Sequence, residues 1–225
     1  MIFRLEDNSI LFPDPRLADD DGLLAVGGDL RSERLLQAYF QGIFPWYSED
    51  TPILWYAPKE RFVLFPTEIK ISKSMAKVMK SNAFNITFNR SFKNVISNCA
   101  NVDRADQDGT WIVDDMQNAY NSLHQQGFAH SVEVWQNERL VGGLYGILVG
   151  KVFCGESMFS IVSNASKAAL IYLIQNFDLE LVDCQIHSEH LESMGARGVD
   201  SELFYTLLSN QKYTVNGLQK LFRYP

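Results

Sequence analysis

Between Ser32 and Phe40 the apolar positions Leu35, Leu36, Tyr39 and Phe40 recur on one helical face behind a serine able to cap the first turn, which predicts a short helix. Around it, residues 1 to about 60 are broken by Pro13, Pro15, Pro45, Pro52 and Pro58 and by Gly22, Gly27, Gly28 and Gly42. Two short strands, near Ile10–Phe12 and Ile53–Tyr56, would complete a small α+β unit too poor in core positions to stand alone. From Arg61 the elements lengthen. Helical periodicity covers Ser72–Ser81, Ser91–Cys99 and Asp114–Gln125, with an extended Asn85–Phe88 between the first two. His130–Trp135 alternates with period two, Gln136-Asn137-Glu138 turns into a long strand Leu140–Val149, and Val149-Gly150 turns again into Val152–Met158. A helix at Ser163–Phe177, a buried strand at Leu179–Ile186 and a helix at Asp200–Ser209 follow. This order predicts an α+β fold: a small N-terminal domain over residues 1–62, packed on a larger domain over 63–225 whose mostly antiparallel sheet is covered by helices.

Composition narrows the class. With 46% hydrophobic and 21% charged residues the chain reads as an ordinary globular protein with a real core. No apolar run is long enough to cross a bilayer, and the opening MIFRLEDNSI lacks the basic and apolar regions of a signal peptide, so a cytoplasmic location is expected. Three cysteines, Cys99, Cys154 and Cys184, show no CxxC spacing and read as buried thiols; four histidines show no zinc spacing. A net charge of −7 argues against broad non-specific nucleic-acid binding but leaves room for a local basic patch.

Such a patch exists. Lys70, Lys73, Lys77 and Lys80 fall on one stripe of the Ser72–Ser81 helix and its approach, opposite Ile71, Met75, Val78 and Met79. The stripe is either the solvated face of an amphipathic helix or a rail for phosphates. Trp46, Trp55 and Trp111 lie next to Pro or Gly, in turns; each either packs in a core or offers a face for a nucleobase. Asp183 and Gln185 interrupt a buried-looking strand two positions apart, so alternation sends both to one face and Cys184 to the other. Glu156 is equally isolated between Cys154-Gly155 and Ser157-Met158-Phe159. Buried acids of this kind either close a structural network or mark a site. No GxSxG elbow, Walker loop or GxGxxG is present. The element order is that of N-acetyltransferase-like domains, although pattern alone does not select them. The glycine-rich pyrophosphate loop that such domains use for acetyl-CoA is missing from Phe159–Lys167, where the topology would require it.

The chain resembles the bacterial leucyl/phenylalanyl-tRNA–protein transferases. The resemblance rests on Gly22-Leu23-Leu24-Ala25-Val26-Gly27-Gly28-Asp29-Leu30, Gly42-Ile43-Phe44-Pro45-Trp46, Gly109-Thr110-Trp111-Ile112 and His130-Ser131-Val132-Glu133-Val134-Trp135. It continues through Leu140–Gly146, Phe153–Ser160, Asn164-Ala165-Ser166-Lys167 and Asp183-Cys184-Gln185, in order, from about residue 9 to about 198. It implies transfer of Leu or Phe, less often Met, from aminoacyl-tRNA to proteins beginning with Arg or Lys, creating a signal of the N-degron pathway. It also implies an N-acetyltransferase-like (GNAT-like) domain that uses leucyl-tRNA or phenylalanyl-tRNA in place of acetyl-CoA, with no metal or other cofactor; no membrane partner is expected, and a monomer is the default. Under that resemblance Asp183 is a base or electrostatic orienter and Gln185 a relay or positioning group. Trp46 and Trp111 bracket the 3′-terminal adenosine. Leu144, Phe153, Glu156, Met158 and Leu170 form the side-chain pocket, and Lys70, Lys73, Lys77 and Lys80 contact tRNA phosphates. Glu156 and the loop Asp103–Asp108 are candidates to receive the acceptor's Arg or Lys. The chain departs from the enterobacterial members at Ser188, where they carry an Asn that would support the carboxylate. Two rivals remain at this stage, an acetyl-CoA-dependent acyltransferase and a non-catalytic module that binds tRNA or degrons.

Overall fold

The computed structural model of the chain describes residues 2–101 and 112–211. Its first part is a four-stranded sheet. Strands β1 (Phe3–Leu5) and β2 (Leu23–Gly27) run parallel, helix α1 (Ser32–Phe40) follows, and β3 (Phe44–Pro45) and β4 (Leu54–Tyr56) add antiparallel, in the order β1-β2-β4-β3. Ser32 is the first helical residue rather than the cap. The cap position is Arg31, and the Ser32 hydroxyl accepts instead from the Gln126 side chain at 2.7 Å. The expected strand at Ile10–Phe12 does not form: Leu11 is 70% exposed with no strand edge beside it, and only Phe12 packs, edge-on to Trp55.

Strand β5 (Glu60–Leu64) leaves the small sheet and enters a larger one, so the chain crosses between sheets after Tyr56. Helix α2 (Lys73–Lys80), β6 (Asn85–Phe88), α3 (Phe92–Ala100) and α4 (Asp114–Gln125) lead into the meander β7 (Ala129–Gln136), β8 (Arg139–Val149) and β9 (Val152–Ser160). Helix α5 (Ala165–Asn176), β10 (Leu181–Gln185), the short α6 (Glu189–Glu192), β11 (Arg197–Asp200) and α7 (Ser201–Ser209) complete the described fold. The sheet order is β11-β5-β10-β9-β8-β7-β6, antiparallel throughout except where β10 lies parallel to β9. That exception follows from α5, which crosses over the sheet and returns the chain in the same direction.

Both faces of the large sheet are buried, which makes the fold mixed α+β with helices on either side. Helices α1, α3 and α4 and the small sheet pack on one face through Leu35, Val95, Ile96, Met116 and Leu123. Helices α2 and α5 close the other through Met75, Ala168, Ala169 and Ile171. Helix α5 lies close to β8 because Gly142 lacks a side chain: a Cβ there would sit 2.4 Å from the Ala165 Cβ. Among the described residues no helix is long and apolar enough to cross a membrane.

Candidate active site

Strand β10 does not finish as a regular strand. Asp183 pairs opposite Val63 and Gln185 opposite Phe62, so Cys184 bulges out, and Gln185 takes φ +66°, a left-handed conformation costly for a residue with a Cβ. The Gln185 N–H donates to Asp183 Oδ1 at 2.9 Å, which holds the bulge from within. The register shift interrupts the alternation expected to send Asp183 and Gln185 to one face: the Asp183 carboxylate turns to Arg61 of β5 and the Gln185 amide to Glu156 of β9.

Asp183 is fully buried and held by a cation from the neighbouring strand. Arg61 of β5 donates from Nε to Oδ1 at 2.8 Å and from Nη2 to Oδ2 at 2.7 Å, and from Nη1 to the Gly42 carbonyl at 3.0 Å. The guanidinium lies over the rings of Phe44 and Phe204, 4.8 and 4.6 Å from their centroids. Burial opposes the Arg61 charge, but Asp183 more than offsets it and holds the guanidinium pKa above its usual value. Arg61 thus binds the strand carrying Asp183 and Gln185 to the loop carrying Phe44 and Trp46. That loop turns at Gly42, whose φ of +74° and contact with the Phe204 ring exclude a side chain.

Glu156 of β9 has a different shell. It accepts from the Gln185 amide at 2.7 Å and the Tyr120 hydroxyl at 3.0 Å, and Tyr120 in turn is hydrogen-bonded to the Tyr39 hydroxyl. No cation is among these partners. Burial pushes the carboxyl up to about 7; donors from Tyr39, Tyr120 and Gln185 oppose the rise and the charge of Asp183 adds to it. Burial, and after it Glu156, also raises both tyrosines well above the usual phenol range. The thiols of Cys154 and Cys184 are pushed up too, by burial first and Asp183 second, so neither is a nucleophile near neutral pH.

Glu156, Asp183, Cys184 and Gln185 line a cavity of about 540 Å³ between the small sheet's β3 loop, β9, β10, α5 and α6. Of the residues singled out from sequence, Trp46, Leu144, Phe153, Glu156, Met158, Leu170, Asp183, Gln185 and Ser188 all line it. Trp46 is half-buried and tilts against Tyr56, with ring centroids 5.8 Å apart. Trp55 and Trp135 are structural: their indole N–H groups donate to the Gly27 carbonyl and the Thr87 hydroxyl at 2.9 and 2.8 Å. Trp111 and the Asp103–Asp108 loop lie outside the described residues. Lys70, Lys73, Lys77 and Lys80 are all exposed and line no part of this cavity. Ser188 makes no side-chain cap bond to α6, and His187 pairs with Glu192 at 3.0 Å. Among the described residues no group of three His, Cys, Asp or Glu side chains could hold a metal ion. Sequence reasoning missed Arg61, Tyr39 and Tyr120. Arg61 leaves little signal in the sequence, where it closes the charged run Lys59-Glu60-Arg61 ahead of the apolar Phe62-Val63-Leu64-Phe65.

The cavity thus joins the apolar side chains Leu144, Phe153, Met158 and Leu170, the Trp46 indole and the buried Glu156–Gln185–Asp183 group. Comparison with known proteins gives the family. The family described as leucyl/phenylalanyl-tRNA protein transferase matches residues 63–209, and its N-terminal domain matches residues 28–59. A leucyl/phenylalanyl-tRNA–protein transferase of Syntrophobacter fumaroxidans is 54% identical over 92% of this chain and 90% of its own length. One from Flavobacterium johnsoniae is 54% identical over 90% of this chain and 97% of its own. Among solved structures, that of L-PGS from Bacillus licheniformis overlaps 75% of this chain and 57% of its own at 12% identity, with a TM-score of 0.39. The matches of residues 28–59 and 63–209 and the long, highly identical relatives establish that the chain belongs to the leucyl/phenylalanyl-tRNA–protein transferase family.

Proposed function

We propose that the cavity binds the 3′-aminoacyl adenosine of a leucyl- or phenylalanyl-tRNA and passes the amino acid to the N-terminal Arg or Lys of an acceptor protein, marking it for the N-degron pathway. The observation that carries this reading is the convergence of Trp46, the apolar slot Leu144, Phe153, Met158 and Leu170, and the Glu156–Gln185–Asp183 floor on one cavity. A branched or aromatic side chain fills such a slot, and one methylene changes its fit by only ~1–3 kcal/mol, so Met is a natural third substrate. Trp46 gives the adenine a stacking face, and Trp111 is assigned as its partner.

The acceptor's amine, with a free pKa of ~8, attacks the ester carbonyl. A C–N bond forms, the bond from the carbonyl carbon to the ribose oxygen breaks, and the amine's proton ends on that oxygen. Gln185 is the positioning group. Its NH₂ is turned to Glu156, which leaves its carbonyl oxygen to accept from the incoming amine. Asp183 is the electrostatic orienter: with both oxygens engaged by Arg61 it fixes the bulge that aims Gln185. The exposed lysines at 70, 73, 77 and 80 are assigned to tRNA phosphates. The element order supports reading residues 63–225 as a GNAT-like domain joined to a small domain over 1–62, and we assign the protein as a cytoplasmic monomer. Purified protein, labelled Leu-tRNA and Phe-tRNA, and a peptide beginning with Arg test the assignment. Transfer to that peptide is expected; no transfer, with acylation from acetyl-CoA instead, overturns it.

A further inference from the structure

Helix α5 separates two cavities. Its Ser166 and Leu170 line the one described above, while Lys167 and Ile171, one position further along, line a second of about 400 Å³. The chain at α6 is shared in the same way: His190 and Leu191 line the first, Ser193 and Met194 the second. Lys70, at the start of the exposed lysine stripe, lines the second cavity together with Lys167, and no carboxylate is among its lining residues. Neither lysine enters an ion pair among the described residues.

The hydroxyls around this second cavity are already engaged. Ser72 Oγ accepts from the Met75 N–H at 3.1 Å, and Ser193 donates to the His190 carbonyl at 2.6 Å. Two ammonium groups therefore supply its charge, beside apolar Ile71, Met75, Ile171 and Met194. Like charges lining one cavity raise each other's energy, and an anion between them reverses that cost. The field of Lys167 reaches the wall of the first cavity: burial, and then Lys167, holds the His190 imidazole below its usual pKa.

The second cavity joins the lysine stripe, through Lys70, to the wall that α5 and α6 share with the first cavity, and a polyanion held along the stripe can cross there. We propose that Lys70 and Lys167 hold a backbone phosphate of the tRNA's single-stranded 3′ end at this crossing, an inference that rests on the aminoacyl-tRNA reading above. Lys70 belongs to the stripe legible from sequence. Lys167 is the new element, and its role is to guide the 3′ end into the aminoacyl cavity.

The test compares wild type, Lys167→Ala and Lys167→Arg in two assays: filter binding of Leu-tRNA across a salt series, and transfer to an Arg-peptide from Leu-tRNA or from phosphate-free 3′-leucyl-adenosine. Lys167→Ala should weaken tRNA binding several-fold and lower the slope of log affinity against log salt by about 0.7, the share of one single-strand phosphate. Lys167→Arg should restore both. The ratio of variant to wild-type KM should be raised with Leu-tRNA and fall toward one with leucyl-adenosine. An unchanged salt slope overturns the subsite. So does an equal deficit with the phosphate-free donor, which would assign Lys167 to the first cavity. A wild type that binds Leu-tRNA with a Lys167-dependent slope but transfers nothing would overturn the transferase reading and support the subsite.

Discussion

Asp183 and Glu156 are buried carboxylates on neighbouring parallel strands of one cavity floor, yet they are held in different ways. Asp183 faces a guanidinium that takes both of its oxygens and is itself buried. Glu156 faces two phenols and an amide, which support a negative charge without neutralising it. The first arrangement makes a rigid strut. The second makes a group that burial raises to about 7, whose charge responds to pH in the working range. Gln185 lies between them, bonded to one through its backbone and to the other through its side chain.

The strut gives the largest expected effect. Asp183→Ala strands the Arg61 guanidinium with only the Gly42 carbonyl and two aromatic rings, and should cost about 3–5 kcal/mol of stability. Urea denaturation at pH 7 measures it. Replacing the pair together, Arg61→Met with Asp183→Leu, should recover most of that loss, because packed apolar side chains substitute well for a buried ion pair. Transfer should stay abolished in the double variant, since nothing then holds the Gln185 N–H. Full transfer by a stable double variant would show that Asp183 has no role in orienting Gln185.

How much of this was legible beforehand depends on the physical signal each residue leaves. The helices α1, α2 and α4 and the meander followed from periodicity, because each buries one face over several turns or pairs. Strands β1, β2 and β11 did not: three to five residues without alternation are made strands by their neighbours rather than by their own pattern. An acid inside an apolar strand pointed to Asp183 and Glu156, but the same signal also marks Glu133. There the hydroxyls of Ser131 and Thr87 donate at 2.6 Å each, the N–H groups of Arg90 and Ser91 donate as well, and Glu133 lines neither cavity. Sequence shows that an acid is buried; only the fold shows whether a cavity reaches it. The bulge at Cys184 was likewise invisible, being a product of pairing with β5.

The titrating side of the comparison gives intermediate effects. Glu156 has a folded pKa above the ordinary 4.5, so its contribution to stability is fully present below pH 4.5 and is lost as pH rises through about 7. The loss amounts to about 3 kcal/mol across that window. Glu156→Gln should lack it, so the stability of the variant relative to wild type should rise between pH 5 and 8. Taking the difference cancels the opposite contribution of His130, which burial holds near pKa 4 and which costs stability only as pH falls. A difference that stays flat from pH 5 to 8 would show that burial does not raise the Glu156 carboxyl. Tyr120→Phe removes one donor to the carboxylate and should cost about 1 kcal/mol. It should also raise the Glu156 pKa further, moving the pH window of that stability loss upward; an unmoved window would show that Tyr120 does not support the charged carboxylate.

Ser188 offers the smallest and most local way to sharpen the comparison. It lines the cavity beyond Gln185, at the N-terminus of α6, and its hydroxyl caps no backbone N–H of that helix. Arg61 and the Gln185 N–H already give Asp183 Oδ1 two donors and Oδ2 one, so at most one lone-pair position is left for a longer amide at 188. Ser188→Asn should therefore leave stability within about 0.5 kcal/mol, and change KM for the aminoacyl donor more than kcat. A several-fold rise in kcat would mean that the strut on the Asp183 side is incomplete in this chain, and that the family's Asn completes it.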